Sequence, residues 1–235
     1  MNNIIHAGGE IDGNHYSNSY EAIIENIEKN EGLDITIEID VLKIKDSYII
    51  AHNGYENIYD YNGDFKDITL NEFNLLKVYK KYTPMNFVLL KEIVNKYNNV
   101  KFNLDIKDHD ENYNNALKLI KNIFQNKLDN IVPQVYRNED LRECLKLGFK
   151  FCMVGMWKYY DNIYSSTSID FIKDIQEYNN ICITGFSIDF KHTDNDEFNK
   201  IKNLIKSNIF LHCGDYSHDK NTIKNFNDNN LYFFL

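Results

Sequence analysis

Six side chains in the first half of the chain have the types and spacing to act together: His6, Glu38, Asp40, His52, Asp105 and Lys107. Glu38 and Asp40 alternate with Ile35, Ile37 and Ile39 in DITIEID, while Asn103, Asp105 and Lys107 alternate with Phe102, Leu104 and Ile106 in VKFNLDIK. Successive side chains of a strand point to opposite faces, so the acids of each run share a face near its C-terminal end. His6 closes the apolar run NNIIH and His52 closes SYIIAH. Burying an unpaired carboxylate costs several kcal/mol, so acids inside such apolar runs need a counterpart.

If Glu38, Asp40 and Asp105 meet, each like-charged pair about 4 Å apart repels by roughly 4 kcal/mol at an effective dielectric near 20. Either a carboxyl is protonated or a cation sits among them. Three oxygen donors suit one Mg²⁺ or Ca²⁺ ion better than zinc, with water and substrate oxygens completing the coordination. Two imidazoles beside the acids supply an acid and a base near neutral pH, and Lys107 adds a fixed positive charge. Together these neutralise the nonbridging oxygens of a phosphodiester, deprotonate a nucleophile and protonate a departing oxygen. The competing reading has the acids on an exposed edge strand, facing water or paired with Lys43 and Lys45. In that case His6 is a core histidine beside a glycine turn and Lys107 leads into a surface loop.

The elements that must position these groups are strands interleaved with helices. Strands are predicted at 3–6, 35–41, 48–52, 101–106, 131–135, 150–154, 181–187, 209–213 and 231–235. The intervening segments SYEAIIENIEKN, TLNEFNLLKVYK, NFVLLKEIVNKY, YNNALKLIKNIFQNK, NEDLRECLKLG, SIDFIKDIQEYN, DEFNKIKNLIKSN and KNTIKNFND carry apolar residues at helical spacing. Ser19, Thr69 and Asn138 are expected as caps and Gly148 as a stop. This alternation predicts an α/β chain forming an irregular (β/α)8 TIM barrel in a single domain over 1–235, with a doubly wound sheet as the competitor. Nine strands is one too many for the barrel, so either one of them is an extra element or the 35–52 pair, too closely joined to enclose a helix, is an irregular unit. Polar groups at the C-terminal strand ends then fall on the functional rim of the barrel.

The formal net charge of −9 argues against nonspecific binding of nucleic acid or anionic lipid. The four cysteines lack metal-ligand spacing and are expected as buried thiols. No segment reads as a signal peptide or membrane span, so a cytoplasmic protein without stable membrane insertion is expected. The glycine-rich HAGGEIDGNH lacks the GK[ST] ending of a P-loop.

With these residues in view, the sequence resembles the glycerophosphodiester phosphodiesterase family, metal-dependent distorted barrels that include the spider-venom phospholipase D enzymes. IIHAGG resembles the family's opening His-Arg-Gly, NSYEAI its Asn-Thr-x-Glu-Ala-Phe, and IEIDVLKIKDSYIIAHNG its Glu-x-Asp-Val…His-Asp block. GDFKDITLNEFNLLK, TPMNFVLLKEIV and NLDIK follow in the family order. The resemblance implies that His6 and His52 are the acid/base pair, in either order, and that Glu38, Asp40 and Asp105 hold the metal. It further implies that Lys107 contacts phosphate and that Asn18 braces the first loop or touches substrate. Three departures stand out: Ala7 replaces the family arginine, Asn53 an aspartate, and Asp105 a more usual glutamate. The late Trp-Thr strand has only IFLHCGDY as its counterpart, with His212 in that place.

Gln134, on one face with Tyr136 at the end of the fifth strand, is a further candidate for lining the pocket, and Trp157 for a lid loop. The expected activity is cleavage of a small glycerophosphodiester or related polyol-phosphate diester. The alternatives are a phospholipase D-like or cyclising lyase reaction, and a catalytically silent barrel that binds a phosphorylated ligand. Oligomeric state is not legible.

Overall fold

The computed structural model describes residues 4–108, 111–156, 165–189, 196–212 and 231–234. They fall into two compact units, Met1–Pro133 and Gln134–Leu235. Strands and helices alternate through both, and the fold class is the irregular (β/α)8 barrel expected from the sequence.

The first unit is organised around β2 (Thr36–Lys43), which lies parallel to β1 (Ile4–Ile5) on one side and to β4 (Lys101–Ile106) on the other. Both faces of β2 are buried, Ile37, Ile39 and Val41 on one and Glu38 and Asp40 on the other. The extra strand is β3 (Tyr48–Ile50), which folds back antiparallel on the end of β2 with Val41 opposite Ile50. It stands outside the parallel series, so the irregular pair is where the sequence put it. Helices α1 (Tyr20–Lys29), α3 (Phe87–Lys96) and α4 (Glu111–Phe124) occupy three of the amphipathic runs.

The run TLNEFNLLKVYK departs from expectation, because only α2 (Leu70–Phe73) is α-helical. Phe73, Val78 and Tyr82 instead turn into a satellite core with Leu42, Ile44, Ile49, Tyr59 and Phe65. Tyr79 and Lys80 adopt left-handed φ of 50° and 62°, and the Val78 amide donates to the Tyr82 carbonyl at 3.0 Å. Burial of the aromatic side chains outweighs helix propensity over that stretch.

In the second unit the remainder of β5 (Ile131–Val135) leads through α5 (Asn138–Leu147), β6 (Phe151–Gly155), α6 (Ser166–Ile175), β7 (Cys182–Asp189), α7 (Asp196–Leu204), β8 (Asn208–His212) and β9 (Leu231–Phe234). Each of β5 to β9 pairs in parallel with the next. The expected helix KNTIKNFND and Trp157 lie outside the described residues. Among the described residues, no helix is long and apolar enough to cross a membrane.

Ser19 and Thr69 cap α1 and α2, and Gly148 ends α5 at a left-handed φ of 87°. Asn138, expected as a cap, is instead the first helical residue, with Arg137 at the cap position. No side chain caps the first turn; Asp140 accepts from the Tyr136 amide ahead of the helix at 3.1 Å and pairs with the Arg137 guanidinium at 2.7 Å. Around α2 the Thr69 hydroxyl accepts from the Glu72 amide, and the Glu72 carboxylate accepts from the Thr69 amide at 2.8 Å. Thr69→Ala removes half of this reciprocal cap and is expected to cost about 1 kcal/mol in urea unfolding, with the slope unchanged.

Candidate active site

Strand register assembles the acids. On β2 and β4, Asp40 stands directly beside Asp105, and Glu38 beside Asn103. Glu38, Asp40 and Asp105 are all buried, and each offers an oxygen within 4.8 Å of the other two. Lys107 follows β4 with its amide donating to the Val41 carbonyl at 2.9 Å, which holds it against β2. Its Nζ lies 2.6 Å from Asp40 Oδ1 and 2.6 Å from Asp105 Oδ2. Lys43, the alternative partner, reaches the Ser47 carbonyl at 3.4 Å instead.

The segment between β1 and α1 closes one side. His6 is the first residue of a single 3₁₀ turn, His6–Gly8, in which Ala7 has a left-handed φ of 47°. That conformation directs the Ala7 amide to Glu38 Oε2 at 2.7 Å, and His6 Nε2 lies 3.7 Å from the same oxygen. Gly8 comes so close to Asn18 that a Cβ there would sit 3.1 Å from the Asn18 Cα. Asn18 is buried and braces the site: its Nδ2 donates to Asp40 Oδ2 at 2.8 Å, its Oδ1 accepts from the Asp40 amide at 3.3 Å, and its own amide donates to the Ala7 carbonyl at 3.0 Å.

His52 lies two residues past β3 rather than within it, yet the Ala51 amide donates to the Asp40 carbonyl at 3.1 Å and fixes its approach. The ring is half-buried, with Nδ1 2.6 Å from the Asn53 carbonyl. A carbonyl only accepts, so Nδ1 carries a proton and Nε2 is the nitrogen left to take up or give one.

Sequence reasoning did not find Tyr16 and Tyr55. The Tyr16 ring lies edge-to-face with His6 (centroids 4.9 Å apart, planes at 82°) and with His52 (5.9 Å, 85°), and it stacks on Tyr55 at 4.8 Å. Among 17 tyrosines, these two have no distinguishing pattern. Gln134 and His212 belong to the second unit. Gln134 is buried at the end of β5 with its Nε2 donating to the Tyr136 hydroxyl at 2.8 Å, and His212 is the last residue of β8.

Burial and neighbours divide the protons. Burial brings His6 down to about 4, outweighing the pull of Asp40. Burial would raise Asp40, but Lys107, His52 and His6 bring it down to about 2. Burial works against the Lys107 charge too, yet Asp105, Asp40 and Glu38 hold its ammonium above the usual lysine range. Glu38 goes the other way: burial, reinforced by Asp40, pushes its carboxyl well above the ordinary value. Two answers to carboxylate repulsion are therefore combined, a cation at Asp40 and Asp105 and a carboxyl at Glu38 whose neutral form burial favours. The donor set fits a hard divalent cation: three buried oxygen ligands within reach of one another.

No family profile and no curated protein matches the sequence. Solved structures do. A Galdieria sulphuraria protein assigned to the glycerophosphodiester phosphodiesterases superposes with a TM-score of 0.75 at 15% identity, over 100% of this chain and 93% of its own. An Oleispira antarctica phosphodiesterase in complex with the product sn-glycerol-3-phosphate gives 0.74 at 15%, over 100% and 92%. A glycerophosphodiester phosphodiesterase from Parabacteroides distasonis gives 0.69 at 18%, over 99% and 91%. The chain has the glycerophosphodiester phosphodiesterase fold. Within that fold, the acid cluster, Lys107 and both imidazoles belong to the first unit.

The proton distribution sets opposite pH signatures for the protein in chelator. His6 has a folded value below its unfolded 6.5, so its contribution to stability is complete above about 6.5 and is lost as pH falls toward about 4. Glu38 has a folded value above its unfolded 4.5, so its contribution is present at low pH and is lost as pH rises. Urea unfolding across pH should show His6→Asn gaining on the parent chain by on the order of 3 kcal/mol between pH 6.5 and 4. Glu38→Gln should gain on the parent as pH rises above 4.5. Curves that stay parallel to the parent in both cases contradict this proton assignment.

Proposed function

We propose that this chain is a cytoplasmic, Mg²⁺- or Ca²⁺-dependent phosphodiesterase that cleaves a small glycerophosphodiester or related polyol-phosphate diester by His6/His52 acid–base catalysis. The observation that carries this reading is the meeting of three buried acids, a fixed ammonium and two imidazoles in one cluster, since ligand binding alone has no use for an acid/base pair. The fold neighbour bound to sn-glycerol-3-phosphate supports the substrate class. The free thiols of Cys152 and Cys182 accord with a reducing compartment.

Glu38, Asp40 and Asp105 would hold the divalent cation, which neutralises charge on the phosphoryl oxygens when bound. Lys107, with a side chain 21% exposed, would offer its ammonium to a nonbridging oxygen. His6 is kept neutral by burial and suits the proton acceptor. It takes a proton from water as the new P–O bond forms, or from a substrate hydroxyl if the reaction cyclises. The half-exposed His52 delivers a proton to the alcohol oxygen as the old P–O bond breaks. Asn18 keeps the Asp40 carboxylate oriented through both steps.

A second reading, a barrel that binds a phosphorylated ligand without turning it over, draws on two observations. Ala7 offers no guanidinium where a bidentate phosphate contact is expected, and Lys107 already neutralises Asp40 and Asp105.

Release of alcohol and phosphomonoester from a panel of glycerophosphodiesters separates the readings. His6→Gln and His52→Gln are each expected to lower kcat/KM by about 10²- to 10⁴-fold while the fold persists. Absence of turnover across the panel with metal still bound favours the silent barrel, and phosphorus NMR of the product distinguishes hydrolysis from cyclisation. By calorimetry, Asp105→Asn is expected to weaken Mg²⁺ or Ca²⁺ binding by about tenfold or more. An unchanged affinity removes Asp105 from the ligand set.

A further inference from the structure

We infer that Tyr16 is a positioning residue that sets the two imidazoles relative to each other, and that a tyrosine clamp from residues 55–79 holds it in place. The inference rests on the reading of His6 and His52 as an acid/base pair, and it adds a residue that neither the sequence motifs nor the fold resemblance assigns.

His6 and His52 come from different loops. Tyr16 packs edge-to-face on both, at 4.9 and 5.9 Å between centroids. Edge-to-face packing fixes the plane of each imidazole, and the plane decides where Nε2 points. Tyr16 reaches this position at a cost, since its φ of 56° lies in the left-handed region, an outlier for a bulky side chain. Such strain persists only when the surroundings over-determine it, and here they do. The Tyr79 hydroxyl donates to the His15 carbonyl at 2.8 Å, the Tyr55 ring stacks on the Tyr16 ring at 4.8 Å, and the Tyr59 hydroxyl donates to the Ser17 carbonyl at 3.3 Å. Three consecutive residues are thus each gripped by a different tyrosine. Tyr55 also lies 5.2 Å from His52, so the clamp touches the second imidazole directly. The Tyr16 hydroxyl plays no part in these ring contacts. The ring is what matters, which separates this role from a proton-transfer role for the phenol.

Three variants test the inference. Tyr16→Phe keeps the ring; Tyr16→Gly deletes it while suiting the left-handed backbone, which makes loss of folding less of a hazard than with alanine; Tyr55→Leu removes the stacked partner and serves as a second route should Tyr16→Gly misfold. The imidazole C–H resonances of His6 and His52, assigned from His6→Gln and His52→Gln, report ring-current contact with Tyr16 independently of turnover. Tyr16→Phe is expected to leave both sets of resonances in place and kcat within about threefold of the parent. Tyr16→Gly should shift both sets and lower kcat by about tenfold or more with KM changed by less than about threefold. Tyr55→Leu should shift the His52 resonances with a smaller loss of kcat. Unmoved histidine resonances in folded Tyr16→Gly, or in Tyr55→Leu if that variant is the one that folds, overturn the inference whether or not the parent chain turns over. So does a loss confined to KM, or a loss of kcat in Tyr16→Phe equal to that in Tyr16→Gly. Absence of turnover in the parent with the resonances shifting as expected sinks the phosphodiesterase reading and leaves the positioning of the imidazoles standing.

Discussion

The Lys107 ammonium, 2.6 Å from a carboxylate oxygen on each of two neighbouring strands, is the interaction on which the rest of the site depends. Parallel register forces Asp40 and Asp105 side by side, and without a cation between them β2 and β4 would carry two like charges at their buried ends. Lys107 is two residues past Asp105, so the strand that brings the second acid also brings the counterion. Glu38 lies one step further back on β2, where burial and the Asp40 charge favour its protonated form. Positive charge added there would favour the ionised form of Glu38 in turn.

Around this core the backbone is arranged to aim groups inward. Ala7, Tyr16 and Asn18 all take left-handed φ within a dozen residues, and each one directs a group at the cluster: the Ala7 amide at Glu38, the Tyr16 ring at both imidazoles, the Asn18 side chain at Asp40. The satellite core built from Tyr59, Phe65, Phe73, Val78 and Tyr82 gives this strained segment a rigid support, since the hydroxyls of Tyr59 and Tyr79 fasten its carbonyls. Packing far from the acids and geometry at the acids are linked through those two hydrogen bonds.

The nine strands and their order were legible because apolar runs of strand length alternate with amphipathic stretches, and the two-residue period within DITIEID and VKFNLDIK put the acids on one face. Legibility failed where local pattern and tertiary burial disagreed. TLNEFNLLKVYK has helical spacing, but its aromatic and apolar side chains bury better around a turn, and Asn138 has cap chemistry yet stands one residue inside a helix that no side chain caps.

By itself, the sequence determined which residue types would stand at the ends of which strands, because side-chain alternation is a property of the backbone and needs no knowledge of neighbours. It also carried the requirement that buried acids find a cation or a proton. Tertiary structure alone decided how that requirement is met, with Lys107 between Asp40 and Asp105 and burial favouring the neutral form of Glu38, because desolvation and distance exist only once strands pair. It alone brought Tyr16 against both histidines, through a left-handed turn and a clamp of distant tyrosines that no spacing along the chain encodes.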